Sequence, residues 1–378
     1  MTEVPARFEP PRRLLLGPGP SNVHPRVLVA MGRPVIGHLD PETLRMITEI
    51  DEMLREVFHT ANELTFPISG SGTAGMEAAM TNALEPGDVA LVLVSGFFAE
   101  RMREIASRAG AKVVTIGGEW GVPVEPDDVA KALEEYPDAK VVCAVHVETS
   151  TGLLQPLEEL GALCRDRGVL FIVDAVASLG GVPLLVDQWG IDVCYAGSQK
   201  CLSVPPGLAP ITFSPGAVEV RERRVHPPQS FYLDALFIWK YVGRERRYHH
   251  TAPINMLYGL HEGLRLVLAE GLEARWARHQ QVGRDVLSAL QERGFDPVPP
   301  EGYRAPDVVC VRLPEGFEDA ANRALLLERH GIDVAGGLGP MAGQVWRIGL
   351  MGESCTPENA DALLRAINDL LARRRRDG

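Results

Sequence analysis

The order of apolar and polar positions divides the 378-residue chain into two textures. From residue 64 to about residue 214, short apolar runs alternate with stretches of helical periodicity. Leu64–Ser69, Asp88–Ser95, Lys112–Ile116, Lys140–Val147, Val169–Asp174, Val193–Gly197 and Ala209–Phe213 read as strands. Thr73–Leu84, Phe98–Ala109, Pro126–Tyr136 and Pro156–Arg167 read as helices between them. Short apolar strands joined by helical crossovers imply a mostly parallel sheet covered on both faces. Beyond residue 255 the texture changes. Leu260, Leu264, Leu268 and Leu272 recur every fourth position within a long amphipathic stretch from Pro253 to Gly294, one face of a helix. A strand (Val308–Val311), a helix (Ala320–His330), a glycine-rich loop, a strand (Val345–Leu350) and a helix (Pro357–Arg373) follow. The predicted fold class is therefore α/β, with a central sheet flanked by helices and a smaller C-terminal α+β domain. Its predicted units are an N-terminal arm over 1–15, a large domain over 16–269 and a small domain over 270–378.

Composition narrows the possible roles. The net charge of −12 argues against a general nucleic-acid or anionic-membrane binder. Met1 to Pro11 is polar and carries no apolar signal core, and no apolar run approaches ~20 residues. The expectation is a soluble, cytoplasmic protein. The six cysteines form no C-x-x-C pair, which points to reduced core thiols rather than to a metal site. The arginines Arg373 to Arg376 read as a solvated helix end. Only five of the 38 basic residues are lysines: Lys112, Lys131, Lys140, Lys200 and Lys240.

In open α/β sheets, ligands gather at the carboxyl ends of the strands. Three strand ends carry chemistry. After Leu64–Ser69 comes Gly70-Ser71-Gly72-Thr73, small and hydroxylated, opening a helix. This is a phosphate cradle or a common N-cap. Asp174 closes another strand, as a buried anion or a turn residue. Lys200 follows Val193–Gly197 in an apolar setting (Cys201-Leu202-Ser203-Val204), where desolvation favours a neutral, nucleophilic amine. Together the three specify pyridoxal phosphate. The phosphate goes to Ser71–Thr73, the protonated ring nitrogen to Asp174 and the aldehyde to Lys200. Phe98 either lies on the ring or packs in the core. Thr149, in Glu148-Thr149-Ser150-Thr151-Gly152, either donates to the ring's phenolic oxygen or belongs to a Ser/Thr turn.

These motifs, in this order, resemble the class V aminotransferases within fold type I of pyridoxal-phosphate enzymes, in the alanine/serine–glyoxylate branch. The resemblance runs from Leu14-Leu15-Leu16-Gly17-Pro18-Gly19-Pro20-Ser21-Asn22 to Trp346-Arg347-Ile348-Gly349-Leu350-Met351-Gly352. Val173-Asp174-Ala175-Val176, Gly197-Ser198-Gln199-Lys200 and Tyr248-His249-His250-Thr251 lie between. It implies Lys200 as the imine lysine and proton-shuttling base, and Asp174 as the ring-nitrogen partner. It implies Val176 on the ring face opposite Phe98, and Ser71, Gly72, Thr73 and Gln199 around the phosphate. Tyr248 and Thr251 would reach the phosphate of a neighbouring subunit in a homodimer. Arg347 would clamp the substrate α-carboxylate, with Gly19 and Asn22 also at the substrate. Gly336-Gly337-Leu338-Gly339 reads as a mobile loop over the site. The implied reaction is ping-pong transfer of an amino group from alanine or serine to glyoxylate or pyruvate. A ureidoglycine–glyoxylate branch and 2-aminoethylphosphonate–pyruvate aminotransferases are similar. Members of the ureidoglycine branch tend to carry Gln and Asn where this chain has His38 and Tyr248, which favours the alanine/serine branch. Gln199 before the lysine, where cysteine desulfurases usually have His, disfavours that relative.

Overall fold

The computed structural model describes residues 4–243 and 245–377, with side chains given up to residue 373 apart from Arg244. Arg374 to Arg376, most of the basic tail expected as a solvated helix end, therefore lie outside the described side chains.

Seven strands form the central sheet: β1 (Leu64–Ser69), β2 (Val89–Val94), β3 (Lys112–Gly117), β4 (Ala139–Val145), β5 (Leu170–Asp174), β6 (Val193–Tyr195) and β7 (Leu208–Phe213). Their spatial order is β1-β7-β6-β5-β4-β2-β3. Neighbours run parallel except around β7, which is antiparallel to both β1 and β6. The reversal has a local cause. Residues 196–207 join β6 to β7 without a helix, and a short connection can only turn the chain back. Lys200 sits in that turn. β2 is buried along its whole length, as a strand covered on both faces must be. The helix Gly72–Ala83 lies close on the sheet because Gly75 has no side chain. A Cβ there would stand 3.2 Å from both Ala209 and Tyr195.

The long amphipathic stretch is two helices, Ile254–Glu270 and Leu272–Gln291, broken at Gly271, whose φ of +84° ends the first. A four-stranded sheet follows, built from Asp296–Pro297, Val308–Arg312, Val345–Gly349 and Ala335–Gly336 in that spatial order. Two hydrophobic clusters dominate the interior. One runs from Val27 to Leu272, and the other joins Leu16 to residues from Val282 to Leu370. The N-terminal segment therefore packs with the C-terminal unit. Leu14–Leu15 pairs in parallel with Ile332–Asp333, and Gly349 N–H donates to the Leu16 carbonyl at 2.8 Å. The expected mobile loop is partly an edge strand, because Ala335–Gly336 is bonded to Trp346–Arg347. No helix among the described residues is long and apolar enough to cross a membrane.

Candidate active site

The carboxyl ends of β1, β4, β5 and the turn after β6 surround a cavity of about 200 Å³. Ser71, Gly72, Thr73, Phe98, Thr149, Asp174, Val176, Gln199 and Lys200 all line it, nine of the residues singled out from the sequence. Arg101 and Met76 line it as well.

Lys200 is buried, and its Nζ donates to the Pro18 carbonyl. Burial lowers its pKa to about 8, helped by the positive charge of Arg347 and opposed by Asp174. The segment Gly17–Ser21 is pinned against the lysine turn. Ser21 N–H donates to the Gln199 carbonyl at 2.9 Å, and Ser21 Oγ donates to the Lys200 carbonyl at 2.7 Å. Gly19, expected at the substrate, lies against the Lys200 side chain. Asn22, also expected there, does not line the cavity. Its amide is taken up by Leu15 N–H at 2.9 Å, the Ser354 hydroxyl at 3.2 Å and the Arg13 carbonyl at 3.1 Å. Those bonds tie the N-terminal segment in place.

Asp174 is buried at the end of β5, with Oδ1 accepting the Val176 N–H at 2.8 Å. Burial pushes its pKa up to about 7, against the pull of that N–H. Arg347, on the strand Val345–Gly349, is buried too. Its Nε donates to the Gly336 carbonyl at 2.7 Å and its Nη1 to the Thr149 carbonyl at 3.2 Å. Nη2 carries no such bond to a described residue, and Arg347 stands outside the lining of the cavity. Tyr248 is 56% exposed, Thr251 is exposed, and neither lines this chain's own cavity.

Two contributors were missed in the sequence. Glu148 is fully buried and accepts four bonds: Phe98 and Ala99 N–H, each at 3.1 Å, Ser150 N–H at 3.0 Å and Ser150 Oγ at 2.6 Å. It caps the helix Phe97–Arg108 and thereby places Phe98. A carboxylate in an apolar strand end was the available signal, the same one that marks Asp174. Arg101 stands three positions after Phe98, on the same helical face.

The chain matches the family model for class V aminotransferases over residues 20–352. The chain is a class V aminotransferase. It is 42% identical to the alanine–glyoxylate aminotransferase of Callithrix jacchus, across 96% of this chain and 88% of that protein. It is 39% identical to the (S)-ureidoglycine–glyoxylate transaminase of Bacillus subtilis, across 96% and 91%. The solved structure of alanine–glyoxylate aminotransferase from Nostoc sp. superposes with a TM-score of 0.96 at 46% identity, covering 98% of each chain. The aminotransferase thus has the fold type I architecture, and its cofactor is pyridoxal phosphate. The residues present fit that group. Asp174 is a buried carboxylate with no ion pair among the described residues, as a protonated ring nitrogen requires. The Gln199 amide lies on the cavity wall with its oxygen buried and unpartnered, and turning the amide over presents its NH2 donors to a phosphate. Gly72 leaves a gap that a Cβ would close to 2.9 Å from Val176.

Proposed function

We propose that this aminotransferase moves the amino group of alanine or serine to glyoxylate, with pyruvate as a further acceptor, in a homodimer that works in the cytoplasm. The carrying observation is that Lys200 and Asp174 are buried on the wall of one cavity, with the buried Arg347 near enough for its charge to act on the lysine. Bound pyridoxal phosphate supplies an aldehyde for the donor's amine and a ring that draws electrons from its α-carbon. Asp174 would hold the proton on the ring nitrogen. Lys200, as its free amine, would take the proton from the donor's α-carbon and deliver it to the carbon that was the cofactor's aldehyde. Arg347 would offer its unbonded Nη2 to the α-carboxylate. Phe98 and Val176 would flank the ring, Thr149 would serve its phenolic oxygen, and Ser71, Gly72, Thr73 and Gln199 would hold the phosphate. Gly19 shapes the substrate side by leaving the lysine room to swing.

Glyoxylate is the acceptor named for both kinds of curated relative, which supports it here. Tyr248 and His38 support alanine or serine over ureidoglycine as donor. The rings of these two residues pack 5.3 Å apart. The exposure of Tyr248 and Thr251, beside the exposed aromatics Phe231, Tyr232 and Phe237, supports a subunit interface at which these residues complete the partner's phosphate site. Six buried free cysteines support a reducing compartment, and none of them lines the cavity, which disfavours sulfur transfer from cysteine. The test is a donor panel of alanine, serine, aspartate, glutamate, ureidoglycine and 2-aminoethylphosphonate against glyoxylate and pyruvate. Inactivity of both alanine and serine with glyoxylate defeats the substrate assignment. Lys200→Ala should abolish turnover.

A further inference from the structure

A phosphate monoester carries about 1.5–2 negative charges at neutral pH. The residues proposed to hold it, Ser71, Gly72, Thr73 and Gln199, are all formally neutral. The helix start adds about half a positive charge at most. Burying a dianion on neutral donors alone is costly, so a cation should stand nearby. Two cations line the cavity, Lys200 and Arg101. Lys200 is committed at its other side, against Pro18.

Arg101 is placed for the task. Its Nη1 donates to Thr73 Oγ1 at 3.1 Å, which anchors the guanidinium beside the Ser71–Thr73 helix start. Its Cζ sits 4.9 Å from the centre of the Phe98 ring and 5.3 Å from that of Phe97. These aromatic faces steady the charge without neutralising it. Arg101 makes no ion pair with any described residue, whereas its helix neighbours Arg103 and Arg108 pair with Glu100 and Glu104. An unpaired guanidinium that is half-buried, stacked and hydrogen-bonded to a cradle residue is a cation lacking its anion.

We infer that Arg101 is the counter-ion of the cofactor phosphate. The inference rests on the proposed placement of that phosphate at Ser71–Thr73. It is tested by equilibrium binding to the apoenzyme of pyridoxal phosphate and of pyridoxal, which lacks the phosphate. Arg101→Gln should weaken pyridoxal phosphate roughly tenfold or more while leaving pyridoxal within about twofold. Arg101→Lys, which keeps charge but loses the fork, should show a smaller selective loss, and it serves alone if Arg101→Gln does not fold. Ser71→Ala tests the placement separately. Selective loss in Ser71→Ala but none in the Arg101 variants overturns the Arg101 assignment alone. No selective loss in any variant overturns the placement and the inference together. Equal loss for both ligands in Arg101→Gln marks general damage to the cavity and also overturns it.

Discussion

Gly19 and the Lys200 side chain touch so closely that a Cβ built on Gly19 would stand 2.5 Å from Nζ and 2.6 Å from Cδ and Cε. The φ of +110° at Gly19 adds a second reason for glycine. Gly19→Ala should displace the amine while sparing both hydrophobic clusters. The expected outcome is a stable protein with turnover lowered by roughly two orders of magnitude or more, since ~1 Å of misplacement costs that much. Steady-state rates and the yellow imine absorbance check it. Wild-type values for both would show that the lysine does not depend on this contact.

Asp174 makes the apoprotein sensitive to pH. Its carboxyl is raised from the ordinary value of 3.8 to about 7 by burial, so the folded apoprotein holds a proton that the unfolded chain releases. The stabilisation is complete below the unfolded value and is lost as the pH rises through 7. Asp174→Asn should remove that slope, worth up to about 4 kcal/mol between pH 4 and 7. Asp307, also raised to about 7 by burial, contributes in the same direction. The informative quantity is therefore the difference between wild type and variant. Denaturant titrations of both apoproteins across that range measure it, and parallel slopes would contradict the assignment.

Lys200 sets a second pH dependence. Burial brings its pKa from 10.5 to about 8, and only the neutral amine attacks an aldehyde. Capture of pyridoxal phosphate by the apoenzyme should accelerate about tenfold per pH unit below this value and level off above it. The negative charge of Asp174 raises the lysine's pKa, so Asp174→Asn should move the inflection to lower pH. Stopped-flow absorbance reads both. An inflection near the free-lysine value would mean that the amine is solvated.

Glu148 connects the site's walls. Its four accepted bonds join the Phe98 helix to the turn carrying Thr149, whose carbonyl receives Arg347. Glu148→Gln turns one acceptor into a donor facing N–H groups. It should cost about 2–4 kcal/mol of stability and weaken cofactor binding by shifting Phe98. Thermal unfolding and the circular dichroism of the bound cofactor report the two effects separately. Loss of stability with an unchanged cofactor signal would reduce Glu148 to a helix cap.

Much of this was legible in the sequence because it is local. Apolar runs such as Val89–Val94 fix strand positions, and a lysine or aspartate at a strand end shows in the line of text. What was not legible depends on distant partners. Leu208–Phe213 is buried throughout and reads the same in either direction, and only the helix-free turn before it sets β7 antiparallel. Leu14–Leu16 joins the small unit through Ile332–Asp333, over 300 positions away. Asn22 shares a motif with Gly19, yet its amide bonds to the backbone and to Ser354 rather than facing the cavity. Gly336 falls in a glycine-rich stretch, yet its backbone pairs with Trp346 and its carbonyl accepts from Arg347. Arg101 is one of 33 arginines, and only its spacing of three from Phe98 separates it from those that pair on the surface.

The central claim is that Lys200, Asp174 and Arg347 serve one transamination site for a short amino acid and glyoxylate. A single-turnover titration of the holoenzyme tests it most directly. Adding alanine or serine should convert the yellow imine absorbance to that of the pyridoxamine form, and glyoxylate should then restore it. With Lys200→Ala loaded with cofactor, neither change should exceed the background rate. If neither amino acid bleaches the wild-type absorbance, or if Lys200→Ala cycles as the wild type does, the account is contradicted.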